Sequence, residues 1–470
     1  MALLRIRPAA RRATRLAATT GVLALAAGAL ALPGCGSAPP APSTQAGGGP
    51  ASAGDPANPA SPGGAGGATA PPDGATWMTA LAGATTSAGA RVGAAATLSA
   101  VAMPGSHDAG VWTTIGRASR ACSDSAALAT LYNAAGAGTT TARTVEKWAF
   151  TQYAPPASQA AGGARYFDLR ALRDPGRGAK GEPQLRTCHT VIGPELGAFF
   201  DAAEPTSLVA FAARNPGEVL VVDWQVVLDG ATRDGALSPA GIRQYRDYIT
   251  GTVCRSRALT RADATTLGAA DDAAVPGLTL DQVTGTGRNI INVMRPDRLR
   301  AIYEGVPDDQ RDPGAWCIFD RDATLQSNWD NSDSSSPWRN GFDYAAARTS
   351  LFRTQADWLA SDRPRAGAFH VTQNIWNVNP DGAKGIFNTL ARRGLKDWTE
   401  VDLRPFQQSG FIDAYLAPDA PGVAARLGNA NILMTDFVGT GPSGAVFEQV
   451  ARPWISLNCR KFDVAECPWG

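Results

Sequence analysis

Short apolar runs alternate with longer stretches of helical periodicity along the chain from Trp77 onward. Most of the short runs are continuous, which is typical of strands buried on both faces of a parallel sheet. They predict strands at Ala100 to Met103, Tyr166 to Leu169, Val219 to Trp224, Ile290 to Met294, Ala368 to Thr372 and Ile432 to Thr435. A long helix is predicted from Glu195 to Asn215, where Pro216 and Gly217 stop it. The alternation favours the α/β class and a TIM-type (β/α) barrel.

Residues 1–34 have the order of a secretory signal, with a basic segment, an apolar segment and a cleavage site. Five arginines and no acidic residue precede the apolar run from Leu16 to Leu32. The ending Leu-Pro-Gly-Cys at 32–35 resembles the lipobox of bacterial lipoproteins, which makes Cys35 the candidate for lipidation. The alternative is ordinary cleavage nearby, with Cys35 as a bystander.

Residues 35–75 consist almost entirely of Gly, Ala, Pro, Ser and Thr. They predict a disordered tether, because they have no large apolar side chains whose burial would offset the entropy of ordering. Residues 76–470 then form a single catalytic domain. We expect an exported protein, either lipid-anchored to the bacterial cell envelope, in the periplasm or at the cell surface, or secreted. A monomer is the default, and no protein partner is implied.

Composition argues against two classes of function. Without the signal, 38 basic residues (43 − 5) stand against 42 acidic ones, a formal charge near −4 (38 − 42), and no basic patch indicates nucleic acid. Six of the seven cysteines remain after Cys35, which allows up to three disulfides, and only Cys459 with Cys467 is suggested by proximity. A zinc site is not expected, because there is no Cys-x-x-Cys pair and the three histidines lie far apart.

Three clusters of reactive residues lie in or near predicted strand ends, where barrel enzymes place their catalytic groups. The first is Pro-Gly-Ser-His-Asp at 104–108, a predicted tight turn in which a histidine stands beside a carboxylate. The second places Asp168 and Arg170 on one face of a strand, and an arginine at a barrel mouth suits phosphate. The third contains His189, a second group for acid–base chemistry. Singly, each has a plainer explanation, a surface-loop histidine or a structural ion pair.

In order and spacing, these clusters resemble the X region of bacterial phosphatidylinositol-specific phospholipases C. The matching segments are the turn at 104–108, Tyr-Phe-Asp-Leu-Arg at 166–170, the second histidine at 189, and Asn-Pro-Gly-Glu at 215–218 before an apolar strand. The resemblance is clear from about Leu98 to Trp224. It implies an irregular α/β barrel that cleaves phosphatidylinositol by attack of the inositol 2-hydroxyl on phosphorus, giving diacylglycerol and a cyclic inositol phosphate.

The resemblance also implies a role for each matching residue. His107 would be the general base that takes the hydroxyl proton, and His189 would be the general acid that protonates the departing glycerol oxygen. Arg170 would stabilise charge on the phosphoryl oxygens, and Asp108 would pair with the acid histidine. Asp436, after the strand that resembles the family's last one, would orient the base. The alternative for Asp436 is a strand-end aspartate that caps a loop.

The same positions also bear on whether the reaction would need a metal ion. The calcium-using branch of the family has asparagine after its first histidine and carboxylates on the next strand, whereas this chain has Asp108 and Arg170 there. A guanidinium can do the electrostatic work of a cation. We therefore expect no metal or other cofactor, although Asp168 and Asp223 leave a weak metal site open.

Head-group recognition departs from the family, which has a lysine after the strand that matches Val219 to Trp224. Asp223 and Gln225 lie there instead, and with Arg295 they are the candidate substrate-binding residues. Further candidates are weaker: Gln373 or Asn374 as substrate contacts, Trp329, Trp338 and Trp376 as membrane-facing or core residues, and His370 as a satisfied buried histidine.

The favoured interpretation is thus a phosphatidylinositol-specific phospholipase C-like phosphodiesterase that acts on a phospholipid at a membrane surface. One alternative is a catalytically silent, surface-binding lipoprotein on the same barrel, which loss of His107, His189 or Arg170 would indicate. All three are present. The other is a metal-dependent glycerophosphodiester phosphodiesterase, which chelators would inhibit.

Overall fold

The computed structural model describes residues 74–123, 126–176, 182–304, 306, 312–327, 344–362, 364–374, 409–436 and 451–469 of the chain. Its strands are β1 Met103–Ser106, β2 Tyr166–Asp174, β3 Gln184–His189, β4 Val191–Glu195, β5 Leu220–Asp229, β6 Ile290–Met294, β7 Ile318–Asp320, β8 Leu325–Ser327, β9 Phe369–Asn374 and β10 Ile432–Thr435.

Eight of these strands pair in parallel and curl into a barrel, in the order β7-β6-β5-β2-β1-β10-β9-β8. The last strand therefore lies beside the first, and Ser106 is in register with Thr435. Within the described part of the chain no pairing joins β7 to β8, which are connected by the helix Arg321–Thr324. The barrel is thus open at one seam. This confirms the predicted fold class, an irregular (β/α) barrel in a single domain.

Helices connect the strands and cover the barrel. The α-helices are Trp77–Gly83, Val92–Ala95, Ala126–Ala135, Thr140–Ala149, Pro156–Ala161, Gly197–Phe200, Leu208–Arg214, Pro239–Tyr248, Arg261–Thr266, Leu280–Gly285, Pro296–Glu304, Arg321–Thr324, Tyr344–Ala360, Ser409–Tyr415, Val423–Asn429 and Arg452–Lys461. A π-helix spans Ile249–Val253 and a 3₁₀-helix spans Asp272–Gly277. None of the described helices is long and apolar enough to cross a membrane.

The apolar runs predicted the buried strands well and their ends less well. β6 and β10 have the predicted bounds, and β2, β5 and β9 extend beyond them. The prediction for β1 was wrong by three residues, because the strand begins at Met103 and includes Pro104 and Gly105. Pro104 lies before Gly105, the first β1 residue that pairs with β2, and its carbonyl accepts a hydrogen bond from the Arg165 N–H. The first cluster is therefore the end of a strand, through Ser106, followed by a turn that begins at His107.

The predicted helix from Glu195 to Asn215 is wrong in the structure. Glu195 ends β4, and two short helices, Gly197–Phe200 and Leu208–Arg214, replace the single long one. Pro205 lies between them and has no N–H to continue a helical ladder. The Ser207 side chain then caps the second helix by accepting a hydrogen bond from the Ala210 N–H.

Other predictions concern short strands and residues that the structure does not describe. The short strands β7 and β8 and the hairpin of β3 and β4 were not predicted. The predicted loop from Gln326 to Phe342 begins inside β8, and its remainder lies outside the described residues. The signal, Cys35, most of the tether and the tryptophans at 329, 338 and 376 lie outside them too.

All six cysteines of the predicted mature chain form disulfides. The pairs are Cys122–Cys188, Cys254–Cys317 and Cys459–Cys467. This confirms three disulfides and the pair suggested by proximity, as expected for a protein of an oxidising compartment.

Candidate active site

Two neighbouring strand ends place a histidine against a carboxylate. His107 directly follows β1 and Asp436 directly follows β10, and these strands pair in parallel. The Nδ1 atom of His107 lies 2.7 Å from Oδ1 of Asp436. A short contact of this kind orients the imidazole and fixes which nitrogen faces away from the aspartate. His107 therefore presents its Nε2 atom to the rest of the site.

The carboxylate of Asp108 lies at the centre of the site. Its Oδ2 atom is 3.2 Å from Nε2 of His107 and 3.4 Å from Nε2 of His189, so one oxygen stands between the two rings. Its Oδ1 atom pairs with Nε of Arg170. The Asp108 side chain is fully buried, and its backbone has φ 42°, a left-handed conformation that aspartate adopts more readily than most residues. Asp108 thus contacts the acid histidine, as the resemblance implied, and the base histidine as well.

His189 approaches the site from the hairpin of β3 and β4 rather than from a barrel strand. Its Nδ1 atom lies 3.0 Å from the carbonyl oxygen of Ala149, and its Nε2 atom faces Asp108. An imidazole that carries protons on both nitrogens can donate to both of these oxygens. The ring centroids of His107 and His189 are 6.2 Å apart, and Oδ2 of Asp108 lies between the two Nε2 atoms.

The carboxylates around His107 raise its proton affinity. Burial by itself lowers the pKa of His107, but the negative charges of Asp108, Asp436 and Asp168 outweigh it and raise the pKa to about 9. Burial and the nearby charge of Asp108 raise the pKa of Asp168 to about 7. The free site therefore holds more protons at neutral pH than isolated side chains would.

His107, Asp108 and Asp168 form a possible metal site among the described residues. One ligand atom from each lies within 4.8 Å of the others. The donor set, two carboxylates and an imidazole, could hold a divalent cation. However, the guanidinium of Arg170 already pairs with Asp108 and would repel such an ion. The absence of a metal requirement therefore stays a prediction.

The three candidate head-group residues differ in burial and in position relative to the strands. Asp223 is fully buried, and its carboxylate accepts hydrogen bonds from the Tyr166 hydroxyl at 2.7 Å and from Nε of Arg321 at 2.9 Å. The carboxylate of Asp223 is thus already paired with two buried side chains, and its role as a head-group contact stays a prediction. Gln225 lies within β5 and Arg295 directly after β6, both partly exposed, and their roles remain predictions.

The weaker candidates on β9 are also located. Gln373 and Asn374 lie inside the strand and not after it, and both are buried. Buried His370 has its Nε2 atom 2.8 Å from the carbonyl oxygen of Arg365. Burial lowers the pKa of His370, which favours its neutral form. This agrees with a structural histidine.

Sequence reasoning missed two residues, Gln152 and Arg321, that contact predicted site residues. The buried Gln152 amide donates hydrogen bonds to the carbonyl oxygens of His107 at 2.7 Å and Thr435 at 3.4 Å, so it ties the ends of β1 and β10 together. Nothing in the sequence around Gln152 signals this contact. Arg321 could have been found, because it follows the apolar pair at 318–319 much as the other polar clusters follow their strands.

Comparisons with known proteins give similarities of structure and none of sequence. No family model matches the chain, and no curated protein matches it. It is similar to the phosphatidylinositol-specific phospholipase C from Listeria monocytogenes, with 15% identity over 81% of this chain and 98% of that chain, at a TM-score of 0.41. It is also similar to a Staphylococcus aureus phosphatidylinositol-specific phospholipase C studied for its membrane binding, with 15% identity over 80% and 98% and a TM-score of 0.42. No residue role in this chain rests on these similarities.

Proposed function

We propose that this chain is a phosphodiesterase that cleaves phosphatidylinositol-type lipids into diacylglycerol and a cyclic inositol phosphate. The observation that carries the proposal is the placement of two histidines on either side of one carboxylate oxygen, with a guanidinium on its other oxygen. Cleavage by a neighbouring hydroxyl needs a base at that hydroxyl, an acid at the leaving oxygen and positive charge at the phosphoryl group. The site contains one candidate for each.

In the proposed reaction, Nε2 of His107 accepts the proton of the inositol 2-hydroxyl while the hydroxyl oxygen forms its bond to phosphorus. The bond from phosphorus to the glycerol oxygen breaks, and that oxygen takes the proton of Nε2 of His189. Arg170 stabilises the charge on the phosphoryl oxygens. Asp436 and the Ala149 carbonyl hold the two rings from their Nδ1 sides, so both Nε2 atoms stay directed to the centre of the site, where Asp108 lies. Solvent then returns the two histidines to their starting protonation.

The protein is also proposed to act outside the cytoplasm, at a membrane. We propose an exported protein that is anchored through Cys35 and meets its substrate at a membrane surface, since the sequence of residues 1–75 has the order of a lipoprotein signal and a tether. Gln225 and Arg295 are proposed head-group contacts because each directly follows the last residue pair between β5 and β6, Trp224 with Met294.

The proposed function is tested by phosphorus NMR of purified, tether-free protein with phosphatidylinositol micelles and excess chelator. We expect the signal of a cyclic inositol phosphate, because Arg170 supplies the positive charge that a metal would otherwise provide. Activity that appears only after calcium or magnesium is added would instead favour a metal-dependent phosphodiesterase using His107, Asp108 and Asp168. No turnover of any phosphodiester under either condition would favour a silent binding protein.

The pH dependence of kcat/KM should follow the protonation state of His107. Only deprotonated His107 can act as base, and its pKa is raised to about 9, so kcat/KM should rise with pH through the neutral range towards that value. Asp436→Asn removes one of the charges that raise this pKa, so the rise should move to lower pH by about 1 unit or more. An unchanged midpoint in Asp436→Asn would contradict the assignment of this limb to the pair.

A further inference from the structure

His189 lies where the barrel ladder no longer supports it. β3 pairs with β2 only as far as Thr187, opposite Ala171, and beyond this point Cys188 and His189 pair with β4. A two-stranded hairpin is at best marginally stable by itself. Since His189 must hold its Nε2 atom near Asp108 to act as an acid, its position needs support from outside the sheet.

The turn that follows His189 is strained. Thr190 has φ 64°, in the left-handed region that β-branched residues rarely adopt. Such a conformation persists only when its surroundings enforce it. The segment 119–123 provides this support, because the Thr190 N–H donates to the carbonyl oxygen of Cys122 at 2.8 Å and the Ser119 N–H donates to the carbonyl oxygen of Thr190 at 2.9 Å. The hydroxyls of Ser123 and Thr190 are 3.1 Å apart.

A covalent bond joins the same two segments. The disulfide Cys122–Cys188 links segment 119–123 to the residue directly before His189. Both cysteines are buried in a small apolar cluster with Leu172, Ile192 and Leu228. The bond therefore fixes the end of β3 against a segment that also holds the strained turn.

We infer that the Cys122–Cys188 disulfide is a positioning element for the general acid, holding His189 within reach of the leaving oxygen. This inference rests on the proposed function. The disulfide touches no substrate, so its removal should act through His189 alone. A displacement of about 1 Å in a reacting group can lower a rate about 100-fold, and Cys188 directly precedes His189 in the chain.

The chain contains a matched control for the stabilising effect of a disulfide. Cys254 and Cys317 are 63 residues apart and Cys122 and Cys188 are 66 apart. Because loop-closure entropy depends only weakly on loop length, the two bonds should constrain the unfolded chain almost equally. Cys317, however, directly precedes β7, at the end of the barrel opposite the histidines. Comparing the two pairs separates positioning from general stability.

The leaving group supplies a readout that a purely structural role would not change. Departure of glycerol as an alkoxide needs a proton from His189, whereas p-nitrophenolate is stable enough to leave without one. Loss of His189 positioning should therefore slow cleavage of phosphatidylinositol and spare cleavage of an inositol p-nitrophenyl phosphodiester. General damage to the fold would slow both reactions.

The experiment compares Cys122→Ala/Cys188→Ala with Cys254→Ala/Cys317→Ala on both substrates, well below their melting temperatures. For the first variant we expect kcat on phosphatidylinositol to fall about 30- to 100-fold, while kcat on the p-nitrophenyl substrate stays within about threefold of the parent chain. The control variant should stay within about threefold on both, because its disulfide does not hold a catalytic group. Equal losses on the two substrates, or equal losses in the two variants, would overturn the inference.

Thr190→Val provides a milder test should the double variant fail to fold. It keeps the shape and the disulfide but removes the hydroxyl contact with Ser123. We expect kcat to fall about three- to tenfold on phosphatidylinositol only, as for the loss of one neutral hydrogen bond. No selective loss in this variant would contradict the inference. Failure of the parent chain to cleave either substrate would instead refute the proposed function, so the two failures are distinguishable.

Discussion

Replacing His107 by alanine is expected to lower kcat/KM for phosphatidylinositol about 1,000-fold, because a positioned general base contributes about 100- to 10,000-fold to a rate. The loss should be as large on the p-nitrophenyl substrate, since both reactions begin with removal of the 2-hydroxyl proton. His189→Ala should differ by retaining activity on that substrate. Initial rates on the two substrates, measured for both variants, check this assignment of base and acid.

The chain's third histidine provides the control. His370 is buried, contacts the Arg365 carbonyl and belongs to none of the proposed catalytic groups. His370→Gln should therefore keep kcat/KM within about threefold of the parent chain, even if its melting temperature falls. If His107→Ala kept more than about a tenth of the activity, the proposed base would be wrong. If His107→Ala and His189→Ala had the same pattern on the two substrates, the division of roles would be wrong.

Replacing Arg170 by glutamine is expected to lower kcat about 100- to 1,000-fold, the effect of losing a preorganised group that stabilises transition-state charge. KM should change little, because the charge on the phosphoryl oxygens grows during the reaction. Arg170→Lys should recover only part of the loss, since the ammonium keeps the charge but not the planar fork. Steady-state kinetics on phosphatidylinositol micelles in the presence of chelator would measure these effects.

A second arginine on the same strand controls for the loss of an ion pair. Arg173 lies three residues after Arg170 on β2 and pairs with Asp229 and Gln244, away from the histidines. Arg173→Lys should affect stability more than kcat. If Arg170→Gln lost no more activity than Arg173→Lys, the pair of Arg170 with Asp108 would be structural only. Restoration of Arg170→Gln activity by added magnesium or calcium would show that a cation can replace the guanidinium.

His107 and Arg170 were singled out as candidates by local rules, whereas His189, in the hairpin that was not predicted, was singled out by its residue type and by the resemblance. His107 lies four residues after the apolar run that ends at Met103, and the residues that follow the strands of a barrel collect at one edge. Asp168 lies within the predicted strand from Tyr166 to Leu169, and Arg170 directly follows that strand. These signals need only neighbouring residues, and for the same reason they left several explanations open for each residue.

The arrangement of these groups was less predictable. The resemblance implied that Asp108 would pair with the acid histidine, and the structure places one of its oxygens between both rings. Asp223 was a candidate substrate contact, and no pattern in the sequence indicated its pairing with Arg321, 98 residues away. Gln152 supports two strand ends without any sequence signal. Each of these contacts joins groups that come close together only when the strands pair and the chain is folded.

Local sequence patterns were enough to predict the α/β class and the buried strands and to single out the two histidines and the arginine as candidates, because apolar runs and the residues beside them are recognised from near neighbours. The three-dimensional fold, in contrast, set the pairing of β10 with β1, which brings Asp436 to His107 across 329 positions. It also decided that the seam lies between β7 and β8, and that a disulfide-linked hairpin carries His189 to the barrel mouth. These features arise from closure of the barrel, where contacts form between residues whose separation along the chain gives no indication of their proximity.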